Sequence, residues 1–138
     1  MESVQAHLEE IAVDECVQLL ADHHLGRLAV VVDDQPLVFP VNYVMSGRSI
    51  VFRTDPGTKL HAANGHRVAF EIDHFDARYH DGWSVLVVGT AHEEHEAARV
   101  RDLERLPLRP WCAGAKAHWM RVGGGAITGR RITHAVHP

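Results

Sequence analysis

Hydrophobic positions recur with a period of two over most of the chain, which predicts a protein built mainly of short β-strands. Polar connections such as 33–36 and 46–48 join consecutive strands and are typical of antiparallel pairing. The alternating or β-branched segments predict strands at 27–32, 37–44, 49–54, 67–73, 83–92, 119–122 and 126–132. Helical spacing predicts short helices at 14–24, 59–65 and 93–106. Roughly seven strands with two or three helices favour a mainly β fold, a small antiparallel β-barrel.

Three of these predictions depend on local detail. Asp14 is a residue type that caps helices, so the first helix is expected to begin there. The glycines at 123–125 are interpreted as a hairpin turn between the last two strands. The segment 83–92 is apolar on both faces, which predicts burial of both and favours a homodimer that covers the second face.

Size and composition indicate one globular domain, 1–138, with a core at about 14–132. The chain has 138 residues, 46% of them hydrophobic, and a formal net charge of −4. Because it lacks an excess of positive charge, neither nucleic acid nor an anionic membrane is an expected partner. Cys16 and Cys112 are too few and too far apart for a disulfide framework. No signal peptide or membrane-spanning run is evident, and a cytoplasmic protein is expected.

The segment from Arg53 to Leu60 gathers groups that bind anions. Arg53 can bind a phosphate bidentately, the Thr54 hydroxyl can donate, and Lys59 adds a point charge. Free backbone N–H groups at the start of the following helix would complete the site. The alternative is that Arg53 and Lys59 are ordinary exposed charges at a loop.

Two polar residues lie within apolar strands. Asn42 and Ser84 need hydrogen-bonding partners if they face inward, and a planar heterocycle with donors and acceptors along its edge would provide them. The alternative is that Asn42 caps a turn and Ser84 bonds to backbone.

Neither a metal site nor a nucleophile is predicted from spacing. His92 and His95 are three positions apart rather than the four of a zinc-binding helix face, and the remaining histidines show no ligand spacing. No histidine or acid is patterned around either cysteine, and no residue is marked as catalytic.

The order of the motifs resembles the pyridoxamine 5′-phosphate oxidase-like family, in particular its small single-domain actinobacterial members. The matching segments are Gly26-Arg27-Leu28-Ala29-Val30, Pro40-Val41-Asn42-Tyr43, Val51-Phe52-Arg53-Thr54, Gly57-Thr58-Lys59-Leu60, Val68-Ala69-Phe70-Glu71-Ile72-Asp73 and Gly82-Trp83-Ser84-Val85-Leu86-Val87-Val88-Gly89. This resemblance implies a split β-barrel that dimerises and binds FMN in two equivalent clefts between the subunits.

The resemblance also suggests cofactor-binding residues. It places the flavin phosphate beside Arg53, Thr54, Lys59 and Leu60. Val41 and Asn42 match the strand that runs beside the isoalloxazine ring. Ser84 stands where related oxidases carry a glutamine that touches the flavin, and its neighbour Trp83 would line the cleft.

The chain departs from the full pyridoxamine 5′-phosphate oxidases, because it is shorter and lacks their C-terminal substrate-binding segment. Trp119 and Arg121 are the candidates for a C-terminal contribution to the cleft. Oxidation of vitamin B6 is therefore not the expected reaction.

Three functions stay open from the sequence. The first is an FMN-dependent oxidoreductase acting on a small-molecule redox substrate, in which the protein positions the cofactor. The second is an F420-dependent reductase, whose oligoglutamate tail would need cations such as Arg48, Arg121, Arg130 and Arg131. The third is a non-enzymatic flavin- or haem-binding protein. The sequence names neither the substrate nor the electron donor.

Overall fold

The structure is a computed structural model, and it describes residues 3–111 and 117–137. Cys112 lies outside the described residues. The elements in chain order are β1 Ser3–Ile11, α1 Val13–Asp22, β2 Leu25–Val32, β3 Gln35–Asn42, β4 Val44–Ser46, β5 Ser49–Thr54, a 3₁₀ helix His61–Ala63, β6 Arg67–Asp76, β7 Asp81–Glu93, α2 Ala97–Glu104 and β8 His118–His137.

All strands of the described residues belong to one antiparallel sheet. Its order is β3-β2-β6-β7-β8-β5-β4, and β1 pairs with the far end of β8. The sheet curls into a half-barrel with two short α-helices, which confirms the predicted split β-barrel. The predicted hairpin after β2 is also confirmed, and both of its central residues, Asp33 and Asp34, have positive φ. Such a turn matches the twist of the strands that it joins.

The concave side of the sheet holds the main core. Inward-facing side chains such as Leu28, Phe70 and Val85 are fully buried there, and α1 contributes Cys16 and Leu20. A second, smaller core lies on the other face of β4, β5 and β8, where α2 packs against them. Its buried members are Val44, Val51, Leu103 and Trp119.

The helices differ from prediction in their ends. Helix α1 has Ala12 at its N-cap, without a side-chain hydrogen bond, so the expectation that Asp14 caps it is wrong. Asp14 lies in the first turn, where its charge still suits the positive end of the helix. The predicted helix at 59–65 is only one 3₁₀ turn, and the helix predicted at 93–106 is confined to Ala97–Glu104 because Glu93 ends β7.

The C-terminal part of the sheet contains two further corrections. The predicted hairpin at 123–125 does not exist: β8 runs unbroken from His118 to His137. The glycines instead allow β8 to cross a bulge in β7, because a Cβ on Gly125 would lie 1.5 Å from the Val88 carbonyl oxygen. Strand β1 was not predicted, and its partner is residues 129–137 of β8.

Strand β7 buries one face within a single chain. Val85 and Val87 are buried, whereas Leu86 on the other face is 39% exposed and Val88 is half-buried. The expectation that both faces are buried is therefore not met by one copy of the chain. A sheet that curls around one core leaves its convex face to solvent or to a partner.

None of the helices in residues 3–111 and 117–137 has the length and apolar character that crossing a membrane requires.

Candidate functional site

Arg53, Trp119 and Arg121 share one face of the β5–β8 ladder. Arg53 pairs with Trp119, and Arg121 pairs with Val51, so alternation places all three side chains on the face that α2 covers. The Arg53 guanidinium lies 4.8 Å from the centre of the Trp119 ring, a cation–π distance. Trp119 itself is only 6% exposed. The two arginines are diagonal cross-strand neighbours, which places their Cα atoms about 7–8 Å apart.

Arg121 carries an unsatisfied donor. Its Nε atom is buried and has no hydrogen-bond partner among residues 3–111 and 117–137. The side chain borders a pocket of about 470 Å³ whose lining includes His92, Glu93 and Arg99. An acceptor that enters this pocket, such as an oxyanion, would satisfy a donor whose burial is otherwise unfavourable.

Thr54 faces the other way from Arg53, because successive residues of a strand alternate. It is 2% exposed, and its hydroxyl lies 2.8 Å from that of Thr58. Both hydroxyls also lie within hydrogen-bond distance of the Asp55 carbonyl oxygen, Thr58 at 3.0 Å and Thr54 at 3.4 Å. Thr54 thus shapes the turn, and its contact with a phosphate stays a prediction.

Two backbone N–H groups of the expected anion site are used within the turn itself. The N–H groups of His61 and Ala62 bond to the Thr58 hydroxyl and carbonyl oxygens, at 3.1 and 3.0 Å, and the 3₁₀ helix is one turn long. The His61 and Ala62 N–H groups are therefore not free for an anion, and an anion contact of the Lys59 and Leu60 N–H groups stays a prediction. Lys59 is exposed at this turn, and Leu60 is half-buried against the main core.

Asn42 lies at the same end of the sheet. Val44 of β4 pairs with Val51 of β5. Because the strands are antiparallel, Asn42, two residues before Val44, and Arg53, two residues after Val51, both lie beyond the same end of this ladder. Asn42 Oδ1 accepts the Trp111 N–H at 2.8 Å, whereas its Nδ2 is buried without a partner in the described residues. Val41 is 7% exposed and packs in the main core.

Trp83 and Ser84 lie at the opposite end of β7. Ser84 pairs with Arg130 of β8, while His92 pairs with Arg121, and eight residues of strand separate the two positions by about 26 Å. Trp83 contacts His23 edge-to-face at 5.0 Å. One chain therefore does not bring Trp83 and Ser84 into contact with the Arg53–Arg121 face.

The four arginines considered for an F420 tail are also dispersed. Arg48 forms an exposed ion pair with Asp14 at 3.3 Å, and Arg131 pairs with Glu15. Arg130 lines a pocket of about 240 Å³ together with Ser84, far from Arg121. A single chain offers no continuous track of these cations.

A group that spacing did not reveal lies beside the turn. Glu93 Oε1 is 2.5 Å from His61 Nε2, and Glu93 Oε2 is 2.5 Å from His118 Nδ1. The rings of His61 and His118 are 4.4 Å apart. Burial raises the pKa of Glu93, but the hydrogen bonds from both histidines outweigh it and hold the pKa below its ordinary value. His61 and His118 are 32 and 25 positions from Glu93 in sequence, too far for a spacing motif to detect.

Comparison with known proteins gives a consistent picture. The sequence pattern described as pyridoxamine 5′-phosphate oxidase matches residues 12–131. An uncharacterized protein of Mycobacterium tuberculosis H37Rv is 41% identical over 96 residues, which cover 69% of this chain and 86% of that protein. A second uncharacterized protein of the same strain is 33% identical over 129 residues, covering 89% of this chain and 84% of its own length.

A solved structure agrees with these relatives. The FAD-binding protein from Mycobacterium smegmatis is 40% identical in sequence and superposes with a TM-score of 0.77, covering 89% of this chain and 98% of that one. The matched pattern spans most of this chain, and the sheet order described above is the split barrel that the family resemblance implied. The chain therefore belongs to the pyridoxamine 5′-phosphate oxidase family.

Proposed function

We propose that this protein is a flavin-dependent oxidoreductase that binds FMN at the face formed by Arg53, Trp119 and Arg121. The observation that carries the proposal is a pair of buried N–H donors without acceptors in the described residues, Arg121 Nε and Asn42 Nδ2. Both belong to the same end of the sheet as Arg53, and exposed Lys59 lies at the turn that follows β5. An acceptor-rich, anionic ligand matches this arrangement.

The orientation of the Asn42 amide supports this assignment. Because Asn42 Oδ1 accepts a backbone N–H, the Nδ2 group is the one that is buried with its hydrogens unpaired. The flavin ring presents carbonyl and imine acceptors along its edge, and the phosphate presents anionic oxygens. We assign Asn42 to the ring and Arg53, Arg121 and Lys59 to the phosphate.

The flavin, when bound, supplies the electron transfer, and the protein supplies orientation and exclusion of water. Arg53 is held against Trp119, so its guanidinium is positioned before a ligand arrives and loses less entropy on binding. No acid or base of this face is required for transfer at the cofactor. Thr54 and Thr58 hold the turn that presents Lys59.

The second half of the cleft is assigned to another copy of the chain. Trp83 and Ser84 lie about 26 Å from Arg121 within one chain, along the strand. The convex face of β7, with Leu86 39% exposed, is the surface that a partner copy would cover. A homodimer in which each cleft combines Arg53 of one copy with Trp83 and Ser84 of the other accounts for both observations.

Fluorescence titration with FMN, FAD and riboflavin tests the phosphate anchor. Arg53→Ala and Lys59→Ala are each expected to weaken FMN binding by roughly ten- to a hundredfold, which corresponds to about 1.5–3 kcal/mol for a charge-assisted contact. Riboflavin, which has no phosphate, should bind weakly and respond little to either change. Arg48→Ala is the matched control, because Arg48 is exposed and paired with Asp14. Equal losses of FMN and riboflavin binding would contradict the anchor.

FAD distinguishes two versions of the same proposal. The Mycobacterium smegmatis neighbour is described as FAD-binding. Tighter binding of FAD than of FMN, with the same response to Arg53→Ala, would change the cofactor but keep the anchor. The visible spectrum of the purified protein separates flavin from the single band of F420 and the Soret band of haem.

Subunit complementation tests the shared cleft. One chain carries Arg53→Ala with Lys59→Ala, the other carries Ser84→Trp, and the heterodimer is isolated with two affinity tags. If each cleft draws on both copies, one cleft combines all the changes and the other combines none. The heterodimer should then bind one FMN per dimer with the affinity of the parent protein. A heterodimer without a site of parental affinity, or a stable monomer in sedimentation at micromolar concentration, would refute the shared cleft.

A further inference from the structure

We propose that His61, Glu93 and His118 form a binding site for one divalent transition-metal ion of the Zn²⁺ type. The three side chains each offer one ligand atom, and these atoms all lie within 4.8 Å of one another. Two imidazole nitrogens and one carboxylate oxygen make a donor set that Zn²⁺ accepts, with its remaining position open to water. This inference is independent of the proposed flavin function, and it revises the expectation from spacing that the chain has no metal site.

The distances fit an ion after small rotations of the three side chains. Four ligand atoms bound to Zn²⁺ at about 2.0–2.1 Å in a tetrahedron lie about 3.3 Å apart. The two Glu93 contacts are both 2.5 Å, shorter than that separation, whereas the widest separation in the group is below 4.8 Å. Rotation of the Glu93 carboxylate widens its own contacts, and rotation of the imidazole rings closes the wider separations, so side-chain movements of about 1–1.5 Å bring the group near the tetrahedral spacing.

Burial and exposure also suit a metal with an open position. The Glu93 side chain is 10% exposed, while those of His61 and His118 are 26% and 28% exposed. The carboxylate is thus enclosed by the two rings, and the rings border solvent on their outer side. An ion bound among them could keep a water ligand, as three-ligand zinc sites do.

Hydrogen bonds join the chain segments that carry the three ligands. The Glu93 N–H donates to Asn64 Oδ1 at 2.8 Å, and the Gly65 N–H donates to the Ala91 carbonyl at 2.7 Å, so the loop that carries His61 is joined to β7. On the other side, the Glu94 N–H donates to the Trp119 carbonyl at 2.9 Å, which fixes β7 beside His118. Ligands on fixed elements lose little freedom when a metal binds.

The test is a calorimetric titration with Zn²⁺ of protein that has first been treated with a chelator and desalted. The parent is expected to bind one Zn²⁺ per chain and to unfold at a higher temperature when the ion is present. His61→Ala, His118→Ala and Glu93→Gln should each weaken this binding by at least about tenfold, since even second-shell changes cost that much. Circular dichroism without metal checks that each variant is folded. Glu93→Gln keeps the size of the side chain and one carbonyl oxygen that can accept a hydrogen bond.

The chain has 12 histidines, so weak surface binding must be separated from a built site. His66→Ala is the matched control, because His66 is exposed and five residues from His61 but outside the group. His95 is unsuitable as a control, since its Nδ1 lies 3.8 Å from Glu93 Oε2. Retained binding in His66→Ala together with loss in the three ligand variants supports the site. Equal weakening in all four variants, or no binding to the folded parent, overturns the proposal.

Discussion

Substitution of Gly125 by alanine is expected to be among the most damaging single-methyl changes in this chain. A Cβ at this position would lie 1.5 Å from the Val88 carbonyl oxygen and 2.7 Å from the Gly89 Cα. Both neighbours are backbone atoms of β7, so no side-chain rotation relieves the overlap and the crossing of β7 and β8 must open. Overpacking costs about 1–3 kcal/mol where side chains can adjust, and a backbone collision belongs at or above the upper end, about 3 kcal/mol or more.

Gly123→Ala is a matched control in the same strand. Its Cβ would meet the Ser49 hydroxyl oxygen at 2.9 Å, and that side chain can rotate away. The collision is small, and alanine also reduces the entropy of the unfolded chain by about 0.4–1 kcal/mol in favour of folding. Gly123→Ala is therefore expected to change stability by less than about 1 kcal/mol.

Urea denaturation and thermal melts, both followed by far-ultraviolet circular dichroism, measure the two variants. With about 3 kcal/mol lost, the thermal midpoint of Gly125→Ala should fall by roughly 10–15 °C, while Gly123→Ala stays within a few degrees of the parent. Similar losses in the two variants would refute the reasoning, because a glycine turn at 123–125 would tolerate or reject alanine at both positions without regard to Val88.

Two further changes have directions that follow from the structure. Tyr43→Phe removes the hydroxyl that donates to the buried Leu20 carbonyl at 2.6 Å, so the free energy of unfolding should fall by about 1–3 kcal/mol, and a change below about 0.5 kcal/mol in a urea titration would contradict this. Burial, followed by the hydrogen bond and charge of Asp73, raises the pKa of Glu71 to about 7 from an ordinary 4.5, and Arg27 offsets this only in part. With respect to this group, the folded state is therefore most stable below pH 4.5 and loses stability as the pH rises through 7. In thermal melts, Glu71→Gln should stabilise the protein at pH 8 and have little effect at pH 4. The opposite order would refute the assignment.

The strands were predictable because period-two alternation leaves a clear signal where one face is buried. Strand β1 lacked that signal, since it lies at the edge of the sheet and its pairing comes from β8, which is more than a hundred residues away in sequence. The glycines at 123–125 were ambiguous for a physical reason: a hairpin turn and a close strand crossing both require the absence of a Cβ. Only the partner strand, with its bulge between Val88 and Thr90, distinguishes the two.

The helix predicted at 59–65 illustrates a different limit. Helical spacing at 59–65 favoured one or two turns, but only His61–Ala63 form a 3₁₀ turn. The loop is held instead by tertiary bonds: the Gly65 N–H donates to the Ala91 carbonyl, and the Ala91 N–H donates to the His66 carbonyl. Tertiary hydrogen bonds to β7 therefore replace the intrahelical bonds that a longer helix would have made.

The same geometry explains which part of the candidate site the sequence could not specify. Arg53 and Thr54 are neighbours in sequence, yet strand alternation directs them to opposite faces of β5, so a motif that contains both does not guarantee one pocket. Conversely, His118 pairs with Thr54 and Glu93 pairs with Met120, which places the His118 and Glu93 side chains on one face although 25 residues separate them. A search for ligands three or four positions apart detects helix faces only. In an antiparallel sheet, the number of residues between two ligands depends on the lengths of the strands and loops that connect them. The register of β5, β7 and β8 is therefore the information that places Glu93 and His118 side by side.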